Sequence, residues 1–132
     1  MGSARTDDPA LNDFYVVDNR TRGVTLATRV ARAGTSETRR RGLLDTERLE
    51  PDSGLWIVPC EAIHTFGMKV RLDIVFLDKN FRVRKIAEDL GPGRISFCLR
   101  AHSVLELPAG SVARSGTRSG DLLEKTRRSA DD

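Results

Sequence analysis

The amino-acid sequence predicts a mainly β protein: a β sandwich or barrel of about seven or eight short strands with one short helix. Two observations support this fold class. Short apolar runs recur about every eight to twelve residues and are separated by turn-forming segments, which is typical of sandwiches and barrels. The runs do not alternate with long amphipathic helices, which argues against a parallel α/β sheet.

The length of 132 residues suits one domain with a buried core. We predict a single β-rich domain at residues 14–124, between a disordered N-terminal tail at 1–13 and a disordered C-terminal tail at 125–132. Both tails carry mixed charge and lack apolar periodicity. A charged fraction of 31% agrees with solvated ends around an ordinary core.

The first elements of the predicted domain are two strands, the helix and a third strand. FYVV and the alternating run VTLATRVARA predict the first two strands. In GTSETRRRGLL, Thr35 or Ser36 can cap a helix that ends at Gly42, with Arg39–Arg41 on its solvated face. LWIV then predicts a strand that Pro59 ends.

The run VRLDIVFLD is apolar on both faces and is the best candidate for the centre of the sheet. The turn at 78–80 predicts a hairpin into FRVRKI, which has one wet side. ISFCL and SVLEL are further strands, and residues 111–113 form a short strand or its remnant. In the segment before the central run, Ile63, Phe66 and Met68 are expected to pack in the core.

Two carboxylates interrupt otherwise apolar strands. Asp73 lies in the run that is apolar on both faces, and Glu106 lies between Leu105 and Leu107. Because an unpaired buried carboxylate is costly, Asp73 needs a partner: Arg71, His64 or the backbone N–H groups of a neighbouring loop. Two inward carboxylates could work as an acid and a base, but an ion pair or a capped loop is the favoured account.

Cys60 and His64 lie four positions apart in PCEAIHTFGM, and Cys98 and His102 repeat that spacing in CLRAH. These four residues could supply the ligands of a tetrahedral zinc site. However, residues i and i+4 of one strand lie about 13 Å apart. The favoured interpretation therefore makes Cys98 a small core residue and His102 a surface residue.

A second hypothesis makes Cys60 a nucleophile and His64 its base, with Asp73 or Glu106 orienting the imidazole. All these residue types are present, but a catalytic pair must meet in space and not only in sequence. A buried structural cysteine beside a hydrogen-bonded histidine is favoured over this hypothesis.

Charge and apolar patterning limit the class of partner. The net charge of +3 is scattered along the chain and aromatic residues make up only 5%, which disfavours nucleic-acid binding. No apolar run approaches the length of a membrane span, and the N-terminus lacks the apolar part of a signal peptide, so we expect a cytoplasmic protein. In that compartment Cys60 and Cys98 should stay thiols or bind metal, although a disulfide between them remains open.

Several blocks occur in a fixed order: RGLL, IHTFGM before RLDIVFLD, LELPAGSV and a closing SGD. Together they resemble the bacterial and archaeal family known as domain of unknown function 192, over residues 24–124. The resemblance implies a compact jelly-roll or barrel-like β fold and supplies no established activity. The family pattern falls on Gly42, Leu43, His64, Thr65, Phe66, Met68, Leu72, Asp73, Phe76, Asp78, residues 105–110, Gly120 and Asp121. This chain departs from it at Gly67, where an aromatic residue is common, and at Arg71, where a proline is usual.

These observations predict a non-catalytic binding or accessory β domain with a small cleft near His64 and Asp73. The predicted ligand-binding residues are His64, Phe66, Met68, Asp73 and Glu106. We expect no cofactor and a monomer or weak homodimer, with partners unknown. The alternative is a metal- or thiol-dependent enzyme centred on Cys60 and His64, with zinc as the metal, and it requires that these two side chains meet in a solvent-reachable pocket.

Overall fold

The computed structural model describes residues 13–129, which form two β sheets and two short helices. None of the helices in this range is long and apolar enough to cross a membrane. In chain order the elements are β1 (Asp13–Asn19), β2 (Val24–Ala33), α1 (Ser36–Arg41), β3 (Ser53–Ile57), β4 (Ala62–His64), β5 (Leu72–Leu77), β6 (Val83–Leu90), β7 (Ile95–Phe97), β8 (Ser103–Pro108), α2 (Ser111–Ser115) and β9 (Leu123–Ser129).

The larger sheet has seven strands in the order β6-β5-β8-β3-β2-β1-β9, and β4 pairs with β7 in a separate antiparallel sheet. In the larger sheet β2 and β3 run parallel, whereas the other paired strands run antiparallel. An isolated bridge joins Arg82 to Leu122, and Val83 N–H donates to the Asp121 carbonyl at 2.8 Å. Over the described range the two sheet edges therefore approach each other without closing a barrel, and the predicted mainly β sandwich is confirmed.

The alternation of side chains along each strand gives the large sheet two buried faces. Trp56, Val75 and Leu105 belong to the larger core cluster on one face. Leu72, Ile74, Phe76 and Val104 belong to a second cluster on the other face, together with Ile63 and Met68. Fully burying one such side chain contributes about 1.5–3 kcal/mol. Ile63 of β4 and Leu43, which follows α1, pack against this second face, and it holds the candidate site.

The strand β5 is buried at all six positions, as its two apolar faces predict. It nevertheless lies second from an edge of the sheet, and β3 occupies the middle. The prediction that this run is the central strand was therefore wrong. Apolar patterning reports whether the two faces are covered, and it does not report how many strands lie on either side.

The helix prediction at α1 is confirmed, but a second helix was missed. Residues 111–113, predicted as a short strand, begin α2. The start of α2 is stabilised by a residue distant in sequence. Asp73 on β5 accepts hydrogen bonds from Gly110 N–H at 3.1 Å and Val112 N–H at 2.8 Å. A remote carboxylate thus caps the first turn of α2, and no local pattern could show this.

The C-terminal tail predicted at 125–132 overlaps β9, which continues to Ser129. This strand pairs antiparallel with all of β1, from Asp13 to Asn19. Leu123 is the one buried residue of this strand, LEKTRRS, and four of its seven residues are charged. Its composition therefore resembles that of a solvated tail. Charged residues are common on edge strands, where they oppose pairing with other chains. Residues 130–132 and residues 1–12 of the predicted N-terminal tail lie outside the described range.

Candidate functional site

A pocket of about 190 Å³ lies between α1, the segment around β4 and the second face of the large sheet. Each of these three parts contributes a different chemistry. The residues from α1 and its C-terminal end are Arg39, Arg40, Arg41, Gly42, Leu43 and Leu44; those from the β4 region are Pro59, Cys60, Ile63, His64, Phe66 and Met68; those from the sheet are Ile57 and Glu106.

The arginine side of the pocket is built by a capped helix. Thr35 Oγ1 accepts from Thr38 N–H at 3.1 Å, and Thr38 Oγ1 accepts from Thr35 N–H at 3.0 Å, which fixes the start of α1. Three arginines follow in the last turn, where cations suit the negative end of the helix. The helix ends at Gly42, whose φ of 50° lies in the region that favours glycine.

The three arginines differ in how they are engaged. Arg39 Nη1 donates to the Gly34 carbonyl at 2.7 Å, and the Arg39 side chain is half-buried. Arg41 forms an exposed ion pair with Asp45 at 3.1 Å. The Arg40 side chain is exposed and makes no hydrogen bond or ion pair with any residue in the described range. The sequence predicted Arg39–Arg41 as a solvated helix face. Arg40 and Arg41 are exposed as predicted, and all three arginines also line the pocket, which the sequence did not show.

The β4 side of the pocket carries an aromatic pair. The rings of His64 and Phe66 stack with centroids 5.5 Å apart and an interplanar angle of 27°. Phe66 is 52% exposed, so the prediction that it packs in the core was wrong, whereas Ile63 and Met68 are buried. Thr65, which separates His64 from Phe66 in the sequence, is fully buried and donates through Oγ1 to the Gly91 carbonyl at 2.6 Å, which anchors the segment.

Gly67 follows the aromatic pair and has a φ of 79°, a backbone conformation that residues other than glycine rarely adopt. A β carbon at this position would also lie 3.3 Å from Leu44 Cδ1. The absence of an aromatic side chain at Gly67, which distinguishes this chain from the family pattern, therefore agrees with its local backbone and with the close approach of Leu44.

Glu106 lies at the floor of the pocket. It occupies β8 between β3 and β5, in register with Leu55 and Ile74, and is only 5% exposed. Its Oε1 atom is buried and has no hydrogen-bond partner within residues 13–129. Burial raises the pKa of the Glu106 carboxyl to about 7. A β carbon on Gly42 would lie 3.8 Å from this Oε1, so the end of α1 reaches the carboxyl and leaves space beside it.

Cys60 lines the same pocket and is half-buried, with Sγ donating to the Ala62 carbonyl at 3.2 Å. Burial raises the pKa of the Cys60 thiol; the Ala62 hydrogen bond and the charge of Arg39 oppose this shift, and Glu106 adds to it. A raised pKa disfavours the thiolate that nucleophilic chemistry requires. Cys60 and His64 thus share a pocket, but the thiol is not activated.

The four Cys and His side chains of the alternative zinc site do not form a metal-binding group. No cluster of three or more His, Cys, Asp or Glu side chains able to hold a metal ion occurs in the part of the chain that the structure describes. Cys60 and Cys98 are both free thiols in this structure, so the disulfide that the sequence left open is not formed here. His102 is exposed and lies in a different depression, beside Asp78 and Arg100.

Four of the five predicted ligand-binding residues meet at the pocket: His64, Phe66, Met68 and Glu106. Their role in binding stays a prediction. The fifth, Asp73, does not line this pocket and is fully buried elsewhere. It accepts from Asp89 N–H at 2.8 Å as well as from the two N–H groups at α2. Of the partners predicted for Asp73, the structure therefore shows backbone N–H groups. Arg71 instead pairs with Asp89 at 2.6 Å.

Asp121, on which the family pattern also falls, organises a second polar network away from the pocket. It is 3% exposed, and its carboxylate accepts from Arg22 Nε at 2.7 Å, Asn19 Nδ2 at 3.0 Å and Arg118 N–H at 2.9 Å. Burial opposes ionisation of this carboxyl, but the hydrogen bonds from Arg22, Asn19 and Arg118 lower its pKa. The network ties β1 to the turn before β9 and is structural.

Comparison with known proteins finds one family and two solved structures that are similar to this chain over most of its length. The family model of DUF192, described as an uncharacterized ACR, matches residues 17–125. The crystal structure of a protein of unknown function from Novosphingobium aromaticivorans DSM 12444 matches with a TM-score of 0.72 at 24% identity, over 83% of this chain and 82% of that chain. A protein from Sinorhizobium meliloti 1021, described as a candidate transcription regulator, matches with a TM-score of 0.77 at 27% identity, over 89% and 97%. No curated protein matches.

Proposed function

The chain belongs to the uncharacterized DUF192 family, and from that premise we propose that it is a non-catalytic binding domain whose pocket beneath α1 takes a small ligand. A fold does not define an activity, so the proposal depends on the chemistry of the pocket. Six of the residues that line the pocket are positions on which the family pattern falls: Gly42, Leu43, His64, Phe66, Met68 and Glu106.

The observation that carries the proposal is the unpartnered carboxyl of Glu106. Buried polar groups in native proteins almost always have a hydrogen-bond partner, and an orphaned group lowers the stability of the fold. A glutamate with a raised pKa destabilises the folded state at neutral pH, whereas an apolar residue at this strand position would not. Groups that are costly to the fold cluster at functional sites, and a ligand that donates to Oε1 supplies the missing partner.

The surroundings of Glu106 suit a small organic molecule. Ile63 and Met68 are buried and give apolar walls, while the His64 and Phe66 rings stand at the accessible side. Small-molecule sites typically combine apolar walls with a few convergent polar groups, although most are larger, at about 300–1,000 Å³. A volume of about 190 Å³ therefore supports a compact ligand rather than a nucleotide or a peptide.

The alternative of a thiol-dependent enzyme has one supporting observation, which is that Cys60 and His64 line the same pocket. The burial of the thiol raises its pKa and therefore favours a protonated, unreactive Cys60. Binding without covalent chemistry therefore accounts better for the site.

The chain offers a direct probe of pocket occupancy. It contains two methionines, and Met68 lines the pocket, so a protein labelled with ¹³C at the methionine methyl groups gives a signal from the pocket. The Met68→Leu variant assigns the signal. We expect members of a diverse fragment library to shift the Met68 resonance in a saturable way. If no fragment at millimolar concentration shifts Met68, the pocket is not a binding site and the proposal is wrong.

A further inference from the structure

Resting on the binding function proposed above, we infer that the ligand is a small zwitterion, with an N–H donor bound by Glu106 and an anionic group bound by the arginines of α1. The inference follows from the opposite chemistry of the two ends of the pocket. One end is a buried acceptor without a donor, and the other is a set of guanidinium groups with unused donors.

The Glu106 end requires a donor. An ionised carboxylate only accepts hydrogen bonds, and Glu106 Oε1 receives none within residues 13–129. A charged donor such as an ammonium group both fills this site and neutralises the carboxylate, and charge-assisted hydrogen bonds are about twice as strong as neutral ones. A ligand without such a group would leave Oε1 buried and unpaired.

The α1 end requires an anion. The guanidinium of Arg39 has five donors, of which its hydrogen bond to the Gly34 carbonyl uses one, and that bond holds the group in place. The guanidinium of Arg40 has no partner in the described part of the chain, so its charge is available. The charge of Arg39 is felt inside the pocket, since it acts on the Cys60 thiol against the dominant effect of burial. Planar guanidinium groups pair well with carboxylate and phosphate oxygens.

The space between the two ends is apolar and short. Ile63 and Met68 line it, and the α1 end reaches the Glu106 end at Gly42, where a β carbon would lie 3.8 Å from Oε1. A ligand that satisfies both ends within about 190 Å³ must therefore carry its two charges on one compact, partly apolar body. An amino acid or a short amino carboxylate has this form.

The test uses unbranched ω-amino carboxylates of increasing length, each compared with the alkylammonium and the alkyl carboxylate of the same length. Binding is measured from the Met68 methyl shift and, independently, from the increase in Tm of the unlabelled protein. We expect one length to bind at least about tenfold more tightly than either single-charge analogue, which corresponds to about 1.4 kcal/mol. Equal affinity of the zwitterion and one of its single-charge analogues at every length would overturn the inference.

Two variants assign the two ends. Glu106→Gln should reduce the affinity for the zwitterion to that for the alkyl carboxylate, and Arg40→Ala combined with Arg39→Ala should reduce it to that for the alkylammonium. Glu88→Gln and Arg84→Ala are matched controls on exposed positions of β6, and they should leave the affinity unchanged. A zwitterion preference that survives both pocket variants would place its binding elsewhere and contradict the inference.

The two proposals fail in distinguishable ways. Saturable Met68 shifts with uncharged fragments, together with no preference for the zwitterions, would overturn the ligand class and leave the binding function standing. The absence of Met68 shifts with every compound would overturn both.

Discussion

Replacing Glu106 with glutamine should change how the stability of the protein depends on pH. The Glu106 carboxyl has a pKa of about 7 in the folded protein, against an ordinary value of 4.5. Between these two values the folded state holds more protons at this site than the unfolded state. The free energy of unfolding of the wild type therefore falls as pH rises from 4.5 through 7, and glutamine, which does not titrate, removes this fall.

The size of the effect follows from the shift. A difference of about 2.5 between the two pKa values, at about 1.36 kcal/mol per unit, gives about 3 kcal/mol. This is the amount by which glutamine should gain on the wild type between acid pH and about pH 8. Glutamine also leaves buried amide atoms without partners, at about 1–3 kcal/mol, but that cost is the same at every pH. The change with pH, and not the offset at one pH, is the quantity to compare.

Urea unfolding at a series of pH values measures this change. The chain has one tryptophan, Trp56, which is 8% exposed and packs in the larger core cluster, so its fluorescence reports global unfolding. Glu88→Gln, at an exposed position on β6, is the control and should follow the wild type at every pH. If the curves of wild type and Glu106→Gln run parallel from pH 4.5 to about pH 8, the carboxyl is not desolvated and the reasoning about the pocket floor is refuted.

Three further predictions concern other buried groups. Asp73→Ala should lower the free energy of unfolding by about 3 kcal/mol or more in urea titrations, because it leaves three backbone N–H groups without an acceptor. A loss no larger than that of Asp52→Ala, at an exposed position, would contradict this role. Asp121→Ala should cost at least about 2 kcal/mol and lower Tm, since Arg22 and Asn19 lose their acceptor; an unchanged Tm would show that the network is dispensable. The Cys60 thiol should react with an aromatic disulfide reagent far more slowly at neutral pH than a cysteine in the urea-unfolded chain, and equal rates would restore the thiol-enzyme hypothesis.

The parts of the fold that were predictable are those set by local alternation and turns. β5 was identified because both of its faces are apolar, and α1 because Thr35 and Gly42 are a cap and a stop. The parts that were missed depend on contacts distant in sequence. α2 forms because Asp73, more than thirty residues earlier, accepts from Gly110 and Val112. β9 is charged along most of its length and is ordered by its pairing with β1.

The candidate site shows the same division. His64 and Glu106 were selected for their residue types, and Phe66 and Met68 because the family pattern falls on them. The structure brings all four to one pocket. Asp73 stood out equally in sequence, yet its lone pairs are used by backbone N–H groups. A single sequence shows that a buried carboxylate needs a partner, and only the structure shows which carboxylate has found one.

The arginines of α1 could not be assigned from sequence because a charged run on a short helix is usually a solvated face. The direction in which these arginine side chains point depends on how the end of α1 packs, through Gly42 and Leu43, against the second face of the sheet. The spacing of charges within RRRG carries no information about that packing. The relation of these arginines to Glu106 is therefore a tertiary feature.

The most direct test of this account is the ¹³C NMR titration of the Glu106 side-chain carboxyl, assigned by its loss in Glu106→Gln. In the free protein we expect it to titrate with a pKa of about 7. When an ω-amino carboxylate occupies the pocket, the adjacent ammonium group should move that pKa downward. A carboxyl that titrates near 4.5 in the free protein would mean that Glu106 is already solvated or paired, and would contradict the claim that the pocket holds an unsatisfied acceptor for a ligand.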